Sequence, residues 1–369
     1  MLNRKISAFK NDLKMKFNIF VSMPKMIFFV VTNRCNMKCI MCDVGRENRE
    51  SQFYKNLAGE NEKQDLDLDR AKTFIESLGE FKPVTVICAS EPLLYKNLHE
   101  LIKMLKKQDL RVEMLTNGFL LYRHAENILN DGLDMIHISI DGIKEIHDSI
   151  RRVEGCYEKI IEGLNELIKL KNEMNSKIEI DISFTITHLN YLHIKQFYDI
   201  AKDWNVDRYT FFYPDFVTAD MAAKHNSIFG NLENGIYKAS ESNFTIDDLK
   251  EIDTDMLYQQ VSFIHNKHKV HILPNIHEKK DIEIYFKHHD RFLGRKFCTV
   301  PWNTMMILPN GNVVPESRCF HVNLGNIYEQ NIREIWFGSK YKDLRKLFYK
   351  HKSFPICTRC CAIYDFRIL

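Results

Sequence analysis

Ten cysteines in a chain of 369 residues are its first chemical signal, and eight of them fall into two groups. Cys35, Cys39 and Cys42 stand in Cys35-Asn36-Met37-Lys38-Cys39-Ile40-Met41-Cys42, a C-x3-C-x2-C spacing. Three thiolates on one loop hold three irons of a cubane and leave the fourth iron open to a chelating small molecule. A structural zinc site asks for four ligands, and no fourth Cys or His lies close by in sequence. Cys298, Cys319, Cys357, Cys360 and Cys361 form the second group. Cys357-Thr358-Arg359-Cys360 is a C-x2-C knuckle, and Cys298 and Cys319 flank Gly311 on what reads as a hairpin. Four such Cys complete a closed iron–sulfur cluster, and two pairs suit tetrahedral zinc equally well. Cys88 and Cys156 lie outside both groups.

Alternating strands and helices are expected to position the first group. Apolar, β-rich runs at residues 26–32, 84–88, 112–115, 135–140, 178–187 and 208–213 read as strands. Amphipathic runs at 66–78, 96–107, 122–131, 157–171 and 191–203 read as helices between them. That order argues for a parallel sheet, open or closed as a partial barrel. The polar stretch 46–64 reads as a mobile loop. Residues 214–295 are less regular, with a helix expected over 245–268, and residues 298–369 hold one clear helix, near 332–349.

Composition narrows the class. At 45% hydrophobic and 27% charged residues the chain is ordinary globular material, which excludes disordered, collagen-like and small disulfide-stapled proteins. The 52 Lys and Arg against 49 Asp and Glu leave +3, too balanced to point to nucleic acid or an anionic membrane. No apolar run approaches the roughly 20 residues of a membrane span. The basic N-terminus lacks a signal-peptide pattern, so a reducing cytoplasm is expected, where grouped Cys point to metal or catalysis rather than disulfides.

The C-x3-C-x2-C directly after a first strand resembles the radical S-adenosylmethionine (SAM) superfamily. The resemblance implies α/β architecture as a partial (β/α)6 TIM-like barrel, with a SAM-binding 4Fe–4S cluster on Cys35, Cys39 and Cys42. It implies that SAM binds the free iron and is reductively cleaved to a 5′-deoxyadenosyl radical that abstracts a substrate hydrogen. Met41 matches a position that packs near the adenine. Ala89-Ser90-Glu91-Pro92 resembles the family's Gly-Gly-Glu-Pro, which holds the SAM ammonium, with Ala and Ser standing where the family has glycine. Ser139-Ile140-Asp141-Gly142 resembles its Ser-x-Asp-Gly, so Ser139 is expected on the SAM carboxylate and Asp141 beside it. Arg151, or its neighbour Arg152, is expected to pair with that carboxylate, because guanidinium grips carboxylate bidentately. Asn117 ends strand three, where the family places a ribose or carboxylate contact; the alternative is a turn residue.

Cys298 to Trp302, the turn Pro309-Asn310-Gly311, Leu324 to Ile327, Ile335-Trp336 and the knuckle resemble the auxiliary-cluster extension called SPASM or, with one cluster, twitch. Five Cys favour one auxiliary 4Fe–4S cluster, on Cys298, Cys319, Cys357 and Cys360. Cys361 is the alternative to Cys360. Glu316 stands where the family usually has Cys; it is the alternative to Cys319, or a base beside the cluster. The expected organisation is an N-terminal extension (1–25), the radical SAM core (26–213), a connecting helical region (214–297) and a small α+β auxiliary domain (298–369).

A fully Cys-ligated auxiliary cluster favours electron acceptance, so the expected reaction is a two-electron oxidation, a dehydrogenation, of a small polar substrate such as a sugar or aminocyclitol. Only residues 1–34 precede Cys35, so no fused peptide-recognition domain is expected. The alternatives are a carbohydrate epimerase or dehydratase, with Cys88 returning a hydrogen atom, and a peptide-modifying SPASM enzyme. A buried, inert Cys88 is the plainer reading of that residue. An electron donor such as flavodoxin or ferredoxin is the expected protein partner, with no nucleic acid and no transmembrane segment.

Overall fold

The computed structural model describes residues 21–58, 64–232, 236–294, 297–316 and 318–364. Strand β1 (Met26–Val30) lies within a parallel sheet. On one side follow, in sequence order and each parallel to the last, β2 (Val84–Cys88), β3 (Val112–Thr116), β4 (Met135–Ser139), β5 (Glu179–Thr185), β6 (Arg208–Phe212) and β7 (Val270–Leu273). On the other side β8 (Thr304–Ile307) pairs with β1 in parallel, and β9 (Asn312–Val314) and β10 (Gly325–Asn326) continue antiparallel. The six expected strands are thus the middle of a longer sheet, built as a partial β/α barrel. The C-terminal strands extend that sheet directly from β1, so the last segment is bonded to the core along a strand edge.

Alternation along the strands separates two faces. Ile27 and Phe29 join the large core under the helices, while Phe28 and Val30 face inward. The helix Leu98–Lys107 buries Leu98, Leu101, Ile102 and Leu105 on one stripe, as its period requires. Helix Cys156–Glu173 approaches helix Leu121–Asn130 so closely that a Cβ at Gly163 would lie 2.8 Å from the Tyr122 nitrogen.

Three segments differ from the sequence expectation. Within 46–64, residues Gln52–Ala58 form a helix, while 59–63 lie outside the described residues. Seven residues are too few for a helix to persist alone. Its Asn56 and Leu57 are buried, with Asn56 Nδ2 donating to the Cys319 carbonyl at 2.9 Å, so tertiary contact forms it. The region 214–297 contributes strand β7, and the expected helix at 245–268 is two, Ile246–Lys250 and Thr254–Ile264, the second capped by Asp253. The expected helix at 332–349 is likewise two, Ile332–Trp336 and Ser339–His351, broken at Gly338. The first 20 residues of the expected N-terminal extension lie outside the described residues. No described helix is long and apolar enough to cross a membrane.

The inner face carries charge. His137 on β4 bonds Asp181 of β5 through Nδ1 at 2.8 Å and lies 3.6 Å from Glu113 of β3. Arg111 Nε donates to Glu113 at 2.7 Å, and the Thr210 hydroxyl to Asp181 at 2.8 Å. Burial alone would depress the His137 pKa; the bonds to Asp181 and Glu113 outweigh it and hold the imidazole above its ordinary range. A raised histidine stabilises the fold fully below its unfolded pKa of about 6.5 and loses that contribution as pH rises through the folded value. Removing one partner of a buried pair costs about 3–5 kcal/mol. His137→Gln should therefore destabilise strongly at pH 6, and its deficit against wild type should shrink above about pH 6.5. Thermal unfolding across pH 6–9 reads this, and a deficit that stays constant would refute it.

Candidate functional site

Loops leaving the carboxyl ends of the strands gather at one edge of the sheet, where β/α barrels build their sites. The loop after β1 carries Cys35, Cys39 and Cys42 and is hung on the end of helix Lys144–Arg151. The Lys38 and Ile40 amides donate to the Arg151 and Ile150 carbonyls at 3.2 and 3.0 Å. Those carbonyls have no partner inside their own helix. Arg152 ends the helix in left-handed geometry and is exposed, whereas Arg151 turns inward at 8% exposure. Arg151 Nε donates to Asp141 Oδ2 at 2.6 Å, and Nη1 to the Cys39 sulfur at 3.6 Å. Two more donors reach sulfur. The Gly45 amide lies 3.4 Å from Cys42 Sγ, and Asn117 Nδ2 lies 3.9 Å from Cys35 Sγ while donating to Asn36 at 2.7 Å. Gly45 is required by close approach, since its Cβ would lie 2.9 Å from the Cys39 nitrogen.

This donor set fits a cubane with a free corner. Hydrogen bonds directed at sulfur favour the anionic, metal-bound thiolate. Burial pushes the Cys39 thiol up against the pull of Arg151, so the metal must displace its proton. Among the described residues no three His, Cys, Asp or Glu converge where a single ion could sit. A cubane instead takes its thiolates at separate corners.

A cavity of about 210 Å³ opens over the three thiols. Of the residues singled out in sequence, Met41, Ala89, Ser90, Asn117, Ser139 and Arg151 line it. Phe53, Leu57 and Leu115 complete its apolar side, and none of the three was singled out. Two residues singled out in sequence are engaged within the chain. Glu91 is fully buried and its oxygens accept from the Thr116 hydroxyl (2.6 Å), the Leu93 amide (3.0 Å) and the Asn117 amide (2.7 Å), so it shapes the turn that carries Asn117 and does not line the cavity. Asp141 is fully buried too, holding Arg151 and accepting from the Thr185 amide at 2.8 Å. Arg151 thus has a carboxylate partner inside the chain. Cys88 packs among Met26, Val86 and neighbouring apolar residues and does not reach the cavity.

The second group is anchored by Arg359, the residue inside the knuckle. Its guanidinium, fully buried, donates to the carbonyls of Ile284, Tyr285, His288, Arg291 and Thr358 at 2.7–2.9 Å. Three of those carbonyls close the helix Lys279–Lys287, whose last acceptors need such donors. Cys298, Cys319 and Cys357 each feel the charge of Cys360, and Cys361 bonds both Cys360 and Asp215. Burial pushes Asp215 up to about 6, against the pull of Arg318. Glu316 acts on Cys88 and also on Cys298 and Cys319, so it stands between the end of β2 and the late thiols. Helix Gln52–Ala58 bridges the same gap, with Phe53 on the cavity and beneath the Arg318 guanidinium at 4.3 Å. A larger cleft, about 440 Å³, lies behind the knuckle at Thr358 and contains none of the three early cysteines.

Comparison with known proteins agrees with this architecture. The model of the radical SAM superfamily matches residues 29–202, and the SPASM iron–sulfur cluster-binding domain matches residues 298–361. The chain belongs to the radical SAM superfamily and carries a C-terminal SPASM domain. It is an enzyme of that superfamily, with 4Fe–4S clusters and SAM as cofactors. It is 26% identical over 333 residues to an AdoMet-dependent heme synthase of Methanosarcina barkeri, covering 87% of this chain and 85% of the relative. It is 29% identical over 185 residues to the Fe-coproporphyrin III synthase of the same organism, covering 50% of this chain and 42% of the relative, less than half its length. The fold is shared with Streptococcus suis SuiB bound to SAM (TM-score 0.60, 15% identity, 92% and 72% covered). It is shared also with anSMEcpe bound to AdoMet (TM-score 0.58, 17% identity, 93% and 92% covered).

Two substitutions test the local geometry. Ala89 and Ser90 have φ of 63° and 46°, left-handed backbone that costs an L residue about 1–2 kcal/mol. Ala89→Gly should raise unfolding stability by about 1 kcal/mol in denaturant titration, and a loss would refute the strain. Arg359→Met leaves buried carbonyls without donors, at about 1–3 kcal/mol each. It should lower stability and cut the bound iron of reconstituted protein by about half, while iron at the first group persists.

Proposed function

We propose that the chain oxidises a small polar substrate, sugar-like or amine-bearing, by removing a hydrogen atom, a proton and an electron. The observation that carries this reading is helix Gln52–Ala58, whose Phe53 and Leu57 line the cavity over the early thiols while its Asn56 bonds the Glu316 and Cys319 carbonyls beside the late ones. When bound, the cofactors supply a 5′-deoxyadenosyl radical that takes the hydrogen atom and an oxidised auxiliary cluster that accepts the electron. Cys35, Cys39 and Cys42 hold the first cluster, and Met41, Ala89, Ser90, Asn117 and Ser139 wall the nucleotide over it. Cys298, Cys319, Cys357 and Cys360 hold the auxiliary cluster, with Cys361 bonded to Cys360 and Asp215 beside it. Glu316 receives the proton, held in register by Asn56, whose amide reaches the carbonyls of both Glu316 and Cys319.

A second reading, a porphyrin substrate, draws on the heme synthase aligned along most of both chains. Porphyrins that bear carboxylates call for cationic walls. Among the described residues lining the cavity the one charged side chain is Arg151, already paired with Asp141, so the walls favour a small polar substrate over one bearing several carboxylates. An epimerase quenched by Cys88 is disfavoured by that thiol's burial away from the cavity.

Anaerobically reconstituted protein should hold about eight irons and release 5′-deoxyadenosine under reduction. Cys35→Ala should abolish that release. Cys357→Ala should keep it but form no oxidised product; intact turnover in that variant would reduce the auxiliary site to a structural role and overturn the oxidation.

A further inference from the structure

We propose that Arg151 sets the electron affinity of the first cluster through Cys39, and that Asp141 is the residue that aims it. The inference rests on the reading of Cys39 as a cluster ligand. Among the described residues, Cys39 is the one of the three thiols that faces a cationic donor, the Arg151 guanidinium at 3.6 Å. Cys35 and Cys42 face a neutral side-chain amide and a backbone N–H. Arg151 and Asp141 form an ion pair at 2.5 Å, and its cationic end is the end turned to sulfur. Both residues are buried, at 8% and 0% exposure, so water screens that field weakly.

The aim is fixed from both ends. Asp141 is held by the Thr185 amide, by Asn190 on its carbonyl at 2.9 Å, and by its own amide on His147 Nδ1 at 3.0 Å. The carbonyl of Arg151 accepts from Lys38, one residue before Cys39, at 3.2 Å. Backbone and side chain of one residue therefore hold the same corner of the cysteine loop. Reduction adds one electron to the cluster and breaks no bond. Positive charge and N–H···S bonds at the ligand sulfur stabilise the added negative charge and raise the potential. Both arginine and aspartate act through Cys39 and are positioning residues.

The test is an EPR-monitored redox titration of the full-length holoenzyme, reduced by dithionite, following the signal that shifts when SAM is added. Arg151→Met should lower the reduction equilibrium about tenfold, which for a one-electron couple is about 59 mV. Arg151→Lys, which keeps the charge, should recover most of that loss. Asp141→Asn, which removes the opposing anion, should shift the potential the other way. A merely structural role would move Arg151→Met and Asp141→Asn in the same direction. That pattern, or an Arg151→Met potential equal to wild type, overturns the proposal. Iron content and circular dichroism of each variant identify loss of cluster or fold, and Arg151→Lys decides the question if Arg151→Met cannot hold iron. A Cys39→Ala protein that kept the SAM-responsive signal would instead remove the ligand reading, and this inference with it.

Discussion

A helix end with carbonyls to spare and a loop with amides to spare solve one problem together, and the site depends on that junction. The carboxyl end of helix Lys144–Arg151 accepts from Lys38 and Ile40, and the same turn sends the Arg151 guanidinium to Asp141 and the Cys39 sulfur. Three cysteines on an unsupported loop would sample many arrangements. Docked on a helix that follows β4, they are referred to the strand ends that also supply Ser139 and, through the β3 turn, Asn117. Glu91 completes the frame by tying the β2 end to the β3 turn.

The second cysteine group repeats the device with a side chain in place of a backbone. Arg359 gathers the free carbonyls around the end of helix Lys279–Lys287, and the knuckle goes where the arginine is held. The two groups are then coupled by two covalently remote segments. Strand β8 pairs with β1, the strand that feeds the first cysteine loop, and helix Gln52–Ala58 touches both the cavity and the Cys319 carbonyl. The inner face is apolar at β1 and β8 and carries the ionic network of Glu113, His137 and Asp181 at β3–β5, where the outer face is apolar. That asymmetry leaves room for chemistry on one side and for helix packing on the other.

Much of this was readable in advance, and the misses share a cause. The six central strands follow from apolar runs bounded by turns, because a strand buried on both faces needs continuous apolar sequence. The residues around the cavity follow from motifs whose spacing is local, as with Cys35 to Cys42 and Ala89-Ser90. Helix Gln52–Ala58 was not readable, because its stability comes from Asn56 and Leu57 meeting residues far along the chain. Strand β7 is four residues long, too short to stand out from a mixed region. The inner-face network of Glu113, His137 and Asp181 was hidden because its members sit on three different strands, each looking like one polar residue in an apolar run.

By itself, then, the sequence determined the order of strands and helices, the two sets of thiols, and the superfamily whose chemistry needs them, since each is written within a few consecutive residues. Tertiary structure alone decided that Arg151 and not Arg152 faces the thiols, that Asp141 holds Arg151 while Glu91 holds the turn at Asn117, and that Cys361 bonds both Cys360 and Asp215. The physical reason is direction. A side chain's partner depends on which way a helix end or a left-handed turn points it, and that is settled only when the elements pack.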